Sequence, residues 1–127
     1  MSIAAYQRTQ LTIASPDRQV LLLFRAVERM ARGADAAIER ADLPAAHQQL
    51  VDAQELLLLL STLVNPSAPA PIPGNLSALL RWMVDQLVEA NIRKSRVPIA
   101  ETLEVLSVLI ETWERILEPV AASTVTR

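Results

Sequence analysis

The run Leu56-Leu57-Leu58-Leu59-Leu60 constrains this chain more than any other feature. Successive residues of a helix step about 100° around its axis, so five leucines in a row point in every direction. One internal face hides only part of such a segment. A small protein built this way needs several helices around a shared core, and it has apolar surface left over for another chain. The composition agrees. Of the 127 residues, 51% are hydrophobic, which excludes a disordered chain, and only two glycines favour helices over strands.

Proline and capping residues divide the chain into four helical segments. Ser15-Pro16-Asp17 is a helix start: a serine cap, proline at the first helical position, and aspartate in the positive first turn. Val20, Phe24, Val27, Ala31, Ala34, Ile38 and Ala41 then recur at intervals of four and three, one face of a helix running to about residue 41. Asp42-Leu43-Pro44 opens a second helix with Ala46, Leu50, Ala53, Leu57, Leu60 and Val64 inward. The proline-rich stretch 65–74 cannot continue it and forms a semi-rigid crossover. Asn75 is placed to cap a third helix with Leu76, Leu80, Met83, Leu87 and Ala90 inward, ending near Arg93. Pro98 starts a fourth with Ile99, Leu103, Leu106, Ile110, Trp113 and Leu117 inward, and Pro119 helps to stop it.

Short joints at 42–44 and 94–98 favour antiparallel neighbours, so the expected fold is all-α, an antiparallel up-down four-helix bundle. The expected organisation is an N-terminal arm over 1–14, the bundle over 15–118, and a tail over 119–127. The inner face of the first helix is mostly small or β-branched, which suits close approach to its neighbours.

Apolar residues remain after those four faces are assigned. Leu56, Leu59 and Leu63 lie beside the inner face of the second helix, and Val105, Val108, Leu109 and Ile116 lie on the fourth. If the two helices are neighbours, their flanks form a groove for an amphipathic helix or for a disordered segment that folds on docking. A widened core or a homodimer interface would use the same residues. In the arm, Ile3, Tyr6, Gln10 and Ile13 have approximate helical spacing, which suits either a cover over a hydrophobic site or a passive strap. Trp82 lies off the inner face of its helix and is a candidate partner anchor, whereas Trp113 lies on the inner face.

Other function classes find little support. The formal net charge is −2 and neither half is basic, so nucleic-acid binding is not expected. Arg93, Lys94 and Arg96 read as the positive finish of a helix. No window reaches 18 uninterrupted apolar residues and no signal-peptide pattern opens the chain, so the expectation is a cytoplasmic protein without membrane insertion. The carboxylate pairs Asp52/Glu55, Asp85/Glu89, Glu101/Glu104 and Glu114/Glu118 fall largely outside the inward stripes. His47 has neither a second histidine nor an acidic orienter, and no glycine-rich phosphate loop is present. Neither catalysis nor a cofactor or metal is expected.

Several short matches occur in a fixed order: Tyr6-Gln7, Thr12-Ile13-Ala14-Ser15-Pro16-Asp17, Ala53-Gln54-Glu55, Asn75-Leu76, Leu79-Leu80-Arg81-Trp82-Met83, Leu87, Glu89-Ala90-Asn91 and Trp113. Together they resemble the FliS family of flagellar secretion chaperones over about residues 4–118. The resemblance implies a cytoplasmic helical bundle that binds the disordered C-terminal segment of flagellin. Such a protein would restrain premature filament assembly and present its client to the flagellar type III export gate. It further implies that Tyr6 and its neighbours border or cover the client site, and that Asn91 stabilises the turn after helix three or meets the client. The chain departs from the family pattern at Phe24-Arg25-Ala26, where Tyr-Asp-Gly is usual, at Leu80 and Trp82, where tyrosines are common, and in the proline-rich 66–73 connection.

Overall fold

The computed structural model describes residues 16–118, which form four α-helices: α1 (Pro16–Glu39), α2 (Leu43–Thr62), α3 (Ile72–Arg93) and α4 (Val97–Ile116). Each helix packs against the next, and α4 returns to α1. The pairs α1/α3 and α2/α4 stand on the diagonals without backbone contact. This is the up-down bundle expected from the short joints.

α1 has the widest buried face of the four helices. Leu21, Leu23, Phe24, Ala26, Val27, Met30, Ala31, Ala34 and Ala37 are all inside, a wider face than the single stripe read from the sequence. Like every helix of the bundle it is covered on both flanks, here by α2 and α4, and its small side chains let a wider arc pack. On the α2 flank Ala26, Gly33 and Ala37 are small and let the two backbones approach. A Cβ added at Gly33 would stand 3.0 Å from the Gln49 side-chain amide on α2. Burial accordingly does not need large side chains here; Ala31 and Ala34 are as inaccessible as Leu50, Leu57, Leu80, Met83, Leu87 and Leu106. Thr102 is buried too, and its hydroxyl donates to the Pro98 carbonyl at 2.9 Å, satisfying it within its own helix.

The helix boundaries follow local chemistry, with one correction. Asp42 caps α2 by accepting from the Ala45 amide at 3.2 Å, as its position before Leu43-Pro44 implies. The third helix starts at Ile72 and not at Asn75. Pro73 and Gly74 lie in its first turn, and the Asn75 amide already donates to the Pro71 carbonyl at 3.0 Å. Proline fits there because amides of the first turn lack intrahelical acceptors in any case.

Two turns close the opposite end. α1 finishes with Ala41 at φ 60°, while the Asp42 amide reaches back to Ala37 O at 2.8 Å. α3 finishes with Lys94 at φ 51°, while the Ser95 amide reaches Ala90 O at 3.1 Å. Both are left-handed helix stops of the kind usually occupied by glycine. Arg96 then fastens the α3–α4 turn to α1: its guanidinium donates to both Asp35 oxygens at 2.8 and 3.1 Å and lies 3.3 Å from Glu39. The hydrogen bond from Arg96 holds the Asp35 carboxyl below its usual pKa, against a smaller opposing push from burial.

Candidate functional site

Three contacts identify the seams of the bundle. Gln49 against Gly33 marks α1/α2. Asn91 Nδ2, donating to His47 Nδ1 at 3.0 Å, marks α2/α3. The Arg25–Glu114 ion pair at 2.6 Å marks α1/α4. Helical periodicity from these anchors places the remaining residues. Leu56, Leu59 and Leu63 share the flank of Gln49 and face α1. Val105, Leu109 and Ile116 lie opposite Glu114 on α4 and face α3, with Val108 turned outward. On α3, Trp82 lies on the flank opposite Asn91 and so faces α4.

The groove expected between helices two and four therefore does not exist, because those helices are diagonal. Its two sets of residues point to different seams. Leu56 is fully buried and Leu109 nearly so; both belong to the core and are not surface positions. Leu56 was read as surplus because the sequence showed one inward stripe on α2, whereas α1 packs deeply enough to cover a second row. Leu59, Leu63, Trp82 and Val105 are half-buried against the core, while Val108 and Ile116 are exposed at 62% and 52%. Trp82, Val105, Val108 and Ile116 thus form an accessible apolar flank on the α3/α4 seam, the loosest of the four contacts. Ile3, Tyr6, Gln10 and Ile13 lie outside the described residues.

A second feature lies at the end of the bundle where α1 begins. Val20, Phe24, Leu60, Leu63, Leu76 and Trp113, with neighbouring residues, line an open concavity of about 460 Å³. Every helix contributes to it. Phe24 and Trp113 meet there edge to face, with centroids 5.2 Å apart at 73°. The Trp113 indole Nε1 is buried without a hydrogen-bond partner among the described residues. Sequence periodicity assigned Phe24, Leu60, Leu76 and Trp113 to the core, and it gave no sign that they converge on an incompletely filled end. Pro16 and Asp17, at the start of α1, also line the opening.

Asn91 has a structural role at the opposite end. It donates to His47 on α2, and its Oδ1 accepts from the Lys94 ammonium, so one amide joins two helices and the left-handed turn. Among the described residues no group of three or more His, Asp or Glu side chains is gathered to hold a metal ion. No helix among them is long and apolar enough to cross a membrane. Glu89 and Glu114 are engaged by arginines, and Asp52 accepts from Gln48 at 3.0 Å.

Similarity to known proteins agrees with this geometry. The family described as "Flagellar protein FliS" matches residues 1–120. The chain is 27% identical over 120 residues to a protein named flagellar secretion chaperone FliS from Vibrio cholerae, covering 91% of this chain and 88% of that one. It is 25% identical over 114 residues to the protein of the same name from Bacillus subtilis, covering 90% and 84%. With an all-α up-down bundle, an open apolar end and a family match across nearly its whole length, the chain belongs to the FliS family of flagellar proteins.

Proposed function

We propose that this protein is a non-enzymatic flagellar secretion chaperone that binds the disordered C-terminal segment of flagellin in the cytoplasm, keeps it from polymerising and presents it for type III export. The observation that carries the reading is apolar surface left accessible at two places, the α3/α4 flank and the open end of the bundle. Val105, Val108 and Ile116 lie along α4 with Trp82 on the facing flank of α3, and Trp113 of α4 lines the concavity with Phe24, Leu63 and Leu76. A flagellin segment that becomes helical on this surface would remove its own assembly surface from solvent and from other flagellins. Ordering the client offsets much of the gain from burial, which keeps the complex reversible, as an export helper requires. In this reading the arm over residues 1–14, with Ile3, Tyr6, Gln10 and Ile13, competes with the client for the apolar surface.

The test mixes the full chain with a peptide of the cognate flagellin C-terminus and follows complex formation and helical signal. A soluble complex with added helicity is expected. Val108→Asp and Ile116→Asp should weaken it about tenfold or more while leaving the melting temperature of the free bundle nearly unchanged, since both side chains are exposed. A folded bundle that binds no cognate flagellin would refute the assignment.

A further inference from the structure

At the end of the bundle opposite the open concavity, three side chains have donor and acceptor roles that follow from one another. Lys94 stops α3, and its ammonium donates to Asn91 Oδ1. An ammonium has no lone pair, so this contact fixes which end of the Asn91 amide is the oxygen. The Nδ2 end then faces α2 and donates to His47 Nδ1 at 3.0 Å. His47 must therefore offer a lone pair at Nδ1 and carry its proton on Nε2. Only the neutral imidazole can do so.

Protonation of the ring breaks this chain of donors. Both ring nitrogens become donors, and Nδ1–H meets the Nδ2–H of Asn91. Turning the amide over brings Oδ1 to His47 but sets the amide NH2 against the Lys94 ammonium. Leaving it in place makes His47 Nδ1, 3.3 Å from Asn91 Oδ1, the second cation on an oxygen that already serves Lys94. The surroundings supply no countercharge. Asp42 accepts from the Ala45 amide and lies 3.6 Å from Arg40, and Asp52 accepts from Gln48. Glu89 is engaged by Arg93, and Asp35 and Glu39 by Arg96. Among the described residues no carboxylate is paired with His47 or Lys94, and α4 has no backbone contact with α2.

We propose that His47, Asn91 and Lys94 form an acid-sensitive latch between α2 and the end of α3, closed while His47 is neutral and opened when it takes up a proton. The latch holds a stop that is weak by itself. Lys94 stands at φ 51°, a left-handed conformation that is unfavourable for any residue with a Cβ. The Lys94 and Ser95 amides both rely on the Ala90 carbonyl. With the latch open, this last turn frays, while Leu87 and Ala90 just before it stay anchored by complete burial. None of the three latch residues lines the open concavity, so the device works independently of the client.

His47 is the only histidine of the chain, so its imidazole can be followed directly in the full-length protein. Nitrogen-15 NMR at pH 7.5 should show the proton on Nε2. Hydrogen exchange, corrected for the intrinsic pH dependence of amides, should show Lys94 and Ser95 losing protection about threefold or more between pH 7.5 and 5.5. Amides in the middle of α2 should not change. This range lies above that in which carboxylates titrate, so the Asp35–Arg96 contact stays intact throughout. His47→Asn puts a non-titrating oxygen near the place of Nδ1 and should abolish the difference. Asn91→Asp should reverse it, because a carboxylate accepts from both cations and the end of α3 then tightens as His47 is protonated. Neither side chain belongs to the core, and circular dichroism checks that each variant is folded. A proton on Nδ1 at pH 7.5, equal protection at the two pH values, an undiminished pH effect in His47→Asn, or an effect of unchanged direction in Asn91→Asp would each overturn the proposal.

Discussion

Leu56 and Val108 looked alike in the sequence, and the structure separates them sharply enough to predict opposite outcomes for the same truncation. Leu56 is 0% exposed on the α1-facing side of α2, whereas Val108 is 62% exposed on α4. Leu56→Ala removes three carbons, worth about 2.4 kcal/mol of transfer free energy at about 0.8 kcal/mol each. It also leaves a cavity, adding about 1 kcal/mol where neighbours relax only in part. Alanine's slightly better helix propensity recovers a few tenths of a kcal/mol. The expected cost is therefore about 3 kcal/mol. A chain of 127 residues has an unfolding entropy of about 0.27 kcal/mol/K, so the melting midpoint should fall by about 11 °C. Val108→Ala loses little buried surface and exchanges a β-branched residue for a better helix former, so its change should stay within about 0.5 kcal/mol. Urea and thermal unfolding followed by far-ultraviolet circular dichroism measure both. A loss below about 1 kcal/mol at Leu56, or one above it at Val108, would refute the assignment of these side chains to core and surface.

Two further outcomes concern the turn end of the bundle. Ala41→Gly should stabilise the fold by about 0.5–1 kcal/mol, because φ 60° costs alanine about 1–2 kcal/mol and the extra unfolded-state freedom of glycine returns part of it; a lower unfolding midpoint would contradict the left-handed stop. Asp35→Asn should lower the melting temperature at neutral pH, and the deficit should shrink in acid. Asp35 has a lowered folded pKa, so its contribution is complete above the ordinary carboxylate value of 3.8 and is lost as pH falls through the folded value. Melting curves from pH 7 to 3 should show wild type and variant separated by a constant amount above about pH 5 and converging below about pH 4; a pH-independent gap would exclude this linkage.

The fold was legible because its signals are local and repeated. Intervals of four and three mark the helices, Pro44 and Pro98 fall in first turns, and Asp42-Leu43-Pro44 opens α2. Two things were not legible. The start of α3 was misplaced because proline and glycine at 73 and 74 break a helix interior yet are tolerated in a first turn, and only the Pro71–Asn75 hydrogen bond decides between these. The seams were misassigned because periodicity gives each helix its faces but not its neighbours. Once α2 and α4 prove to be diagonal, Leu56 turns towards α1 and Ile116 towards α3. Gly33, among Ala26, Ala31, Ala34 and Ala37, belongs to the small-residue character of α1 that suits close approach, and it faces Gln49 on α2.

That close approach divides the bundle into unequal halves and bears on where a client can act. Across α1/α2, small residues bring the backbones together, and a moved helix would strand the buried row Leu50, Leu56, Leu57 and Leu60. Across α3/α4 the contact is the loosest in the bundle and includes half-buried Trp82 and Val105, with Ile116 exposed. A site that must admit a long apolar segment and later release it needs surface that can repack at little cost. In the proposed function the tight pair would supply a frame and the α3/α4 pair an adjustable wall. Hydrogen exchange resolves the two. Amides of α1 and the middle of α2 should open only with global unfolding, those of α3 and α4 around Trp82 and Val105 should open earlier, and bound client should slow the second group far more than the first. Equal protection in all four helices of the free protein would remove the basis for placing the client on the α3/α4 flank.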